Sequence, residues 1–246
     1  MLQNENIILF LMLLPLISFL YASVGHGGAS GYLALMALFS FAPSIMKPTA
    51  LLLNLFVAGI SFYYYYRAGH FKFKLFLVFA LASIPMAYVG GLLEVDAAIY
   101  KKILGLLLVF AILKLLNVFS TTQHLIKPVP LWQGLLIGGS IGFFSGLIGI
   151  GGGIILTPVI LLLHWGNMKE AAAVSALFIW VNSIAGLAGQ LSSGVTLQSG
   201  SILLIAFALF GGFIGGYFGS KKLNTKNLRY ILAFVLTVAS IKLLLT

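Results

Sequence analysis

Two glycine clusters interrupt apolar stretches of this sequence and could bind an anion through the backbone. They are Gly25-His26-Gly27-Gly28 and Gly149-Ile150-Gly151-Gly152-Gly153, about half a chain apart. A helix that begins at such a cluster has N–H groups without intrahelical partners, at the positive end of its dipole. Because glycine has no side chain, a ligand can approach this backbone closely. We therefore expect an anion site that needs neither lysine nor arginine.

Polar side chains inside the apolar stretches could complete this site. His26 could titrate near neutral pH, or it could be a neutral histidine bonded to backbone. Asn54 and Asn182 could donate to an oxyanion or connect helices, and Ser183 is a further polar residue of the same kind. The predicted binding residues are Gly25, His26, Gly27, Gly28, Ala29, Ser30, Asn54, Gly149, Gly151, Gly152, Gly153, Ser175 and Asn182. No catalytic or metal-binding residue is predicted.

The composition is that of an all-α polytopic membrane protein. Hydrophobic residues make up 61% of the 246 residues and charged residues 7%, whereas soluble domains contain about 25% charged residues. The net charge of +10 resides in short loops, where it sets membrane orientation, so no nucleic-acid partner is expected. Cysteine is absent, and no cofactor is predicted. Residues 1–24 lack the basic start and the cleavage site of a signal peptide.

Apolar runs divide the chain into ten segments. We place them at about 7–24, 29–42, 49–66, 75–93, 99–119, 131–149, 153–165, 171–189, 200–219 and 228–245. A membrane-spanning helix needs roughly 20 apolar residues, and segments 29–42 and 153–165 are shorter. Each follows a glycine cluster, so we predict that each is half of a broken or re-entrant hairpin. Irregular backbone at that depth must be enclosed by protein or line a cavity.

The two halves of the chain form a predicted repeat, 1–119 and 131–246, joined by a connector at 120–130. Besides the clusters, Gly69 corresponds to Gly194, and Gly90-Gly91 to Gly215-Gly216. The loop after the third segment is basic in the first half but uncharged in the second, where the following loop is basic. By the positive-inside rule, the halves then have inverted topology and both termini lie outside.

Paired short segments in corresponding places are typical of a transporter's binding site. An ATP-driven pump is disfavoured, because the chain has no G-x-x-x-x-G-K-[ST] loop. A serine hydrolase could use Ser145 and His26, but Phe143 occupies a position where a G-x-S-G elbow needs glycine. A passive anion channel, an uptake carrier and a scaffold remain as alternatives. We interpret Gly138-Gly139, Gly211-Gly212 and Gly215-Gly216 as helix-packing residues.

The chain resembles the sulfite exporter TauE/SafE family over nearly its whole length. The resemblance rests on the second cluster with Thr157-Pro158 after it, on residues 171–176, and on the glycine-containing loop around Gly194. The first half departs from the pattern, because Ala34 stands where the repeat would place Pro158 and His26 interrupts the glycines. Membership implies transport of sulfite or related sulfur anions, including sulfonates, across the bacterial inner membrane.

We therefore expect a secondary carrier that works by alternating access, with export as the expected direction. Its expected partners are a small sulfur anion and the lipid bilayer. Protons are a candidate coupling ion, through His26 or through protonation of the substrate. A homo-oligomer is left open.

Overall fold

The computed structural model describes residues 4–23, 26–116, 126–197, 201–221 and 225–245, and in these ranges it is built of helices without strands. Gly25 lies outside the described residues, as does most of the predicted connector. The ten helices of the described part are α1 (Asn4–Ser23), α2 (Ala29–Leu38), α3 (Pro43–Arg67), α4 (Phe73–Leu92), α5 (Ala97–Leu115), α6 (Leu131–Ile148), α7 (Gly153–Leu162), α8 (Met168–Ser192), α9 (Ser201–Lys221) and α10 (Thr225–Leu245).

Each predicted segment is therefore a helix, with ends that shift by a few residues. Within the described residues, α3, α4, α6 and α8 are long and apolar enough to cross a membrane. Many large apolar side chains on the surface are exposed, as expected for a protein solvated by lipid. The chain is thus a polytopic membrane protein.

The two short helices are half the length of a membrane span. α2 and α7 have ten residues each, which gives about 15 Å at the helical rise of about 1.5 Å per residue. The hydrocarbon core of a bilayer is about 30 Å thick. Both helices end in the same way, because Ser40 (φ 60°) and His164 (φ 59°) adopt the left-handed conformation at matching positions after them.

α2 folds back along α1. The hydroxyl of Ser30, in the first turn of α2, donates to the Tyr21 hydroxyl near the end of α1, at 2.8 Å. After the other end of α2, the ring of Phe39 lies 5.5 Å from that of Phe10, early in α1. The two helices therefore form an antiparallel hairpin with the first glycine cluster at its tip.

α7 folds back along α6 in the same manner. The backbone N–H of Lys127, just before α6, donates to the carbonyl of His164, just after α7, at 2.8 Å. A Cβ atom placed on Gly152, at the start of α7, would lie 2.7 Å from a methyl carbon of Ile141 in α6. The second glycine cluster is the tip of this hairpin.

A cation lies at the carboxyl end of α2. The ammonium group of Lys242, in the last turn of α10, donates to the Leu38 carbonyl at 2.9 Å and to the Ser40 hydroxyl at 2.8 Å. The last carbonyls of a helix have no intrahelical partner and carry a negative partial charge, which this ammonium group offsets. The positive end of α2 remains at the glycine cluster.

Glycines allow close contact between the long helices. In α6, Gly138, Gly142 and Gly146 lie against the backbone of α4, and in α9, Gly211 and Gly215 lie against the backbone of α1. A Cβ atom on Gly212 would lie 3.2 Å from a methyl carbon of Val57 in α3, and one on Gly216 would lie 3.1 Å from the Tyr64 ring. These glycines are packing residues, as in other membrane helix interfaces where small side chains permit close approach.

Two glycines on α6 provide a matched test of this packing. A Cβ on Gly142 would lie 2.7 Å from the Ser83 Cα, whereas one on Gly139 would lie 3.5 Å from the Ala82 Cβ. Glycine to alanine in a helix gains about 1 kcal/mol of helix propensity, and overpacking costs about 1–3 kcal/mol. We expect Gly142→Ala to lower the thermal unfolding temperature in detergent and Gly139→Ala to maintain or raise it. Equal shifts in the two variants would contradict the assignment.

Candidate functional site

Both half-helices begin at a glycine in the left-handed conformation. Gly28, the N-cap of α2, has φ 100° and ψ 0°, and Gly152, the N-cap of α7, has φ 80° and ψ −18°. Side chains other than glycine rarely adopt these angles. A Cβ on Gly28 would also lie 2.7 Å from the Tyr32 ring. The sequence therefore needs glycine here to start each helix.

The two clusters meet between the centres of α3 and α8. A Cβ on Gly27 would lie 2.7 Å from Asn54 Oδ1 and 2.9 Å from Ile179 Cγ2. A Cβ on Gly151 would lie 2.5 Å from Asn54 Nδ2 and 2.9 Å from the same methyl carbon. Asn54 and Ile179 thus contact both clusters. The N-terminal ends of α2 and α7, whose first N–H groups have no intrahelical partners, converge on this place.

Asn54 connects the first half of the chain to the second cluster. Its side chain is fully buried, and its Nδ2 lies 3.4 Å from both the Ile150 carbonyl and the Ser183 hydroxyl, to which it donates. Its Oδ1 is buried and has no hydrogen-bond partner among the described residues. Asn54 therefore lies beside both clusters, and its role in anion binding stays a prediction.

A chain of hydrogen bonds joins His26 to Ser175 through Thr157. His26 is 7% exposed, and its Nε2 lies 3.3 Å from Thr157 Oγ1. Thr157 Oγ1 is 2.8 Å from Ser175 Oγ and 3.1 Å from the Gly153 carbonyl. Because a hydroxyl has a single hydrogen, Thr157 donates to only one of these at a time. The chain joins the first cluster to α7 and α8, so it crosses between the halves.

Two predicted site residues point elsewhere in this structure. Ser30 donates to the Tyr21 hydroxyl of α1. Asn182 accepts a hydrogen bond from Ser83 of α4 and donates to the Phe178 carbonyl of its own helix at 2.8 Å. Asn182 therefore ties α8 to α4, which is the helix-connecting alternative for this residue.

The remaining predicted residues lie in the two clusters and at the starts of the half-helices. Ala29 and Gly153 are the first residues of α2 and α7. Gly149, at φ 87°, ends α6, and its Cβ position lies 3.0 Å from the Lys47 Cα of α3. The second cluster is thereby held against α3 on both sides of Ile150. Gly25 lies outside the described residues.

Three contributing side chains do not follow from residue type alone. Thr157 lies four residues after Gly153 and so on the same face of α7, which is the signal that could have indicated it. Ile179 is an ordinary apolar residue without any such signal. Ser183 is recognisable as polar in an apolar helix, but only the structure shows that it bonds to Asn54.

The serine-hydrolase alternative gains no support from this geometry. Ser145 Oγ is buried without a hydrogen-bond partner in the described part of the chain. The Nε2 of His26 faces Thr157 instead. A nucleophile and its base must lie within hydrogen-bond reach, and these two side chains are not joined in that way.

The family model described as sulfite exporter TauE/SafE matches residues 9–243. The chain belongs to the TauE/SafE family. This confirms the resemblance seen in the sequence, and the matched range includes both glycine clusters, both half-helices, α3 and α8.

Relatives that match this chain are named as transporters. The probable membrane transporter protein y4hK of Sinorhizobium fredii is 37% identical over 232 residues, which cover 93% of this chain and 94% of the relative. Probable membrane transporter proteins of Methanocaldococcus jannaschii and Bacillus subtilis (YjnA) are 27% and 26% identical, over 76% and 89% of this chain and 73% and 92% of those proteins. No solved structure matches the chain. Family and relatives together identify a multi-pass membrane transporter.

The hydrogen-bond chain through Thr157 can be tested by two substitutions. Thr157→Val keeps the shape but leaves Ser175 Oγ without this donor, and an unsatisfied buried polar group costs about 1–3 kcal/mol. Thr157→Ser keeps the hydroxyl and loses one methyl group. We expect Thr157→Val to lower the thermal unfolding temperature more than Thr157→Ser does. The reverse order would show that the methyl packing, not the hydroxyl, stabilises this contact.

Proposed function

We propose that this TauE/SafE member is a secondary transporter that moves a small sulfur-containing anion, sulfite or a related oxyanion or organosulfonate, across the bacterial inner membrane. On this proposal it exports the anion by alternating access. The observation that supports it most is the convergence of two half-helix N-termini on Asn54 and Ile179.

The charge distribution at this place favours an anion. The N-terminal ends of α2 and α7 each carry a positive partial charge and N–H groups without intrahelical partners. An oxyanion can accept from both sets at once, because it has several oxygen atoms. Glycine at 27, 28, 151 and 152 lets both helix starts pack closely against neighbouring side chains, which brings the two positive ends near one place. Lys242 occupies the opposite end of α2, so it leaves the positive end available.

The arrangement of the short helices supports the inverted repeat of residues 1–119 and 131–246. α2 leads into the start of α3, whereas α7 leads into the start of α8. The start of α8 lies near the end of α3, because Glu170 in the first turn of α8 pairs with Lys72, just before α4, at 3.5 Å. The re-entrant hairpins then enter from opposite faces of the membrane and meet in the middle.

Corresponding helix pairs also support this repeat. α4 packs along α6, and α9 packs along α1, with close glycine contacts in both pairs. These are equivalent pairs when the first five helices are matched to the last five. In such transporters, one repeat moves against the other around a central site, which exposes the site to each face in turn.

Transport of sulfite into proteoliposomes tests the proposed function. A leucine at Gly152 would require an unfavourable φ of 80° and would displace Ile141 and Phe178. Gly194 has a similar φ of 92° but no atoms within 4 Å of its Cβ position, so Gly194→Leu is a matched control. We expect Gly152→Leu to abolish sulfite flux while the protein still inserts, and Gly194→Leu to transport.

The dependence of wild-type flux on anion concentration and on a pH gradient distinguishes a carrier from a channel. Saturable flux, with competition by sulfate, thiosulfate or a sulfonate, is expected for a carrier. Flux that does not saturate would indicate a channel instead. An imposed pH gradient that changes flux in the wild type but not in His26→Ala would support proton coupling through His26. Absence of flux with all these anions would contradict the proposal.

Inverted topology is testable because the chain contains no cysteine. Ala68 and Ser193 are the C-cap residues of α3 and α8, with nearly equal backbone angles. We expect a single cysteine at Ala68 to react with a membrane-impermeant maleimide only from the cytoplasmic side, and one at Ser193 only from the periplasmic side. Labelling of both from the same side would contradict inverted topology.

A further inference from the structure

The unpartnered oxygen of Asn54 places a hydrogen-bond acceptor inside the anion site. Asn54 is fully buried, and Oδ1 accepts no hydrogen bond from the described residues. The same oxygen lies 2.7 Å from the Cβ position of Gly27, so it faces the first cluster beside the start of α2. A buried acceptor that remains unpaired is costly, which implies that a ligand or water donates to it.

The orientation of the Asn54 amide follows from its other contacts. Its Nδ2 donates to the Ile150 carbonyl and to Ser183 Oγ, both at 3.4 Å. If the amide were turned over, two acceptor oxygens, Asn54 Oδ1 and the carbonyl of Ile150, would face each other. The observed orientation is therefore the stable one, and it directs the acceptor at the first cluster and the donor at the second.

We propose that the bound species is an oxyanion that still carries one hydrogen, such as hydrogen sulfite, and that Asn54 selects it. This inference rests on the proposed function. The N–H groups at the starts of α2 and α7 require acceptors on the ligand, whereas Asn54 Oδ1 requires a donor. A hydroxyl-bearing monoanion supplies both, because its bare oxygens accept and its O–H donates. A fully ionised dianion would turn a lone pair toward Oδ1.

An ionisable side chain near Asn54 could also make the affinity for an anion depend on pH. The contacts described for its side chain are with Gly27, Ile150, Gly151 and Ser183, and none of these side chains titrates. The imidazole of His26 is an ionisable group next to Gly27, and Tyr32 of α2 lies against Gly28. A change in the charge of His26 would alter the affinity for every anion, whereas protonation of the ligand alters only an ionisable one.

The test is binding of sulfite to the purified wild-type protein by calorimetry, across the second ionisation of sulfite near neutral pH. Methanesulfonate, a monoanion without an ionisable hydrogen in this range, is the matched ligand. We expect the affinity for total sulfite to fall by about tenfold per pH unit above that ionisation, following the monoanion fraction. Methanesulfonate cannot donate to Oδ1, so its affinity should be weaker but constant with pH, which separates ligand protonation from titration of His26.

Two variants assign this pH dependence to Asn54. Asn54→Leu keeps the size of the side chain but removes the acceptor, so its sulfite affinity should lose the pH slope. Ser183→Ala removes a partner of Nδ2 and leaves Oδ1 in place, so it should keep the slope whatever its affinity. If Asn54→Leu does not fold, the comparison of sulfite with methanesulfonate on the wild type still decides whether the protein binds the protonated form of sulfite.

The possible failures are distinguishable. Sulfite affinity that does not change with pH, or that rises with it, would overturn the inference and leave the proposed anion transport standing. Affinity that depends on sodium concentration instead of pH would mean that Oδ1 binds a cation, and would also overturn it. A parallel pH dependence for both ligands would assign the effect to His26. Absence of sulfite binding across the whole pH range would contradict the proposed function itself.

Discussion

The requirement that backbone groups have partners inside a membrane governs this structure. Hydrocarbon offers no hydrogen bonds, so a helix that begins at the middle of the bilayer must have its first N–H groups enclosed by protein or by a polar cavity. In the proposed re-entrant arrangement α2 and α7 begin in this way, and in the structure both starts lie between α3 and α8. The positions of the long helices α3 and α8 therefore depend in part on the need to enclose the starts of the short ones. A site for a polar ligand follows from the same requirement.

Glycine has two distinct tasks in this protein, and both depend on the missing side chain. At positions 28 and 152 it permits left-handed backbone at the start of a half-helix. At positions 142 and 215 it lies in regular helix and permits contact between helix backbones. Composition cannot separate these tasks, but position can, because only the clusters are followed at once by a short apolar helix.

Local features of the fold were predictable from the sequence, whereas the choice of side chains in the site was only partly so. All ten helices follow apolar runs, because helix formation in a membrane depends on the run itself. The direction of a side chain depends instead on helix rotation, and neighbouring residues differ by about 100°. Asn182 therefore faces α4 while Ser183 faces Asn54. Nothing in the sequence of α8 determines that rotation, since it results from packing against α4 and α3.

The two half-helices start with similar backbone angles, but the side chains beside them differ. Asn54 of α3 and Ile179 of α8 lie at matching points of two helices of equal length, and both contact both clusters. One is an amide with a donor and an acceptor, and the other is a hydrocarbon. His26 likewise corresponds to Ile150 in the second cluster. In the proposed transporter, similar helix starts would allow the site to open to either face, while the single amide of Asn54 would give the bound anion one preferred orientation. On the proposed function, the repeated backbone would provide the motion, and the few side chains that differ between the halves would provide the selectivity.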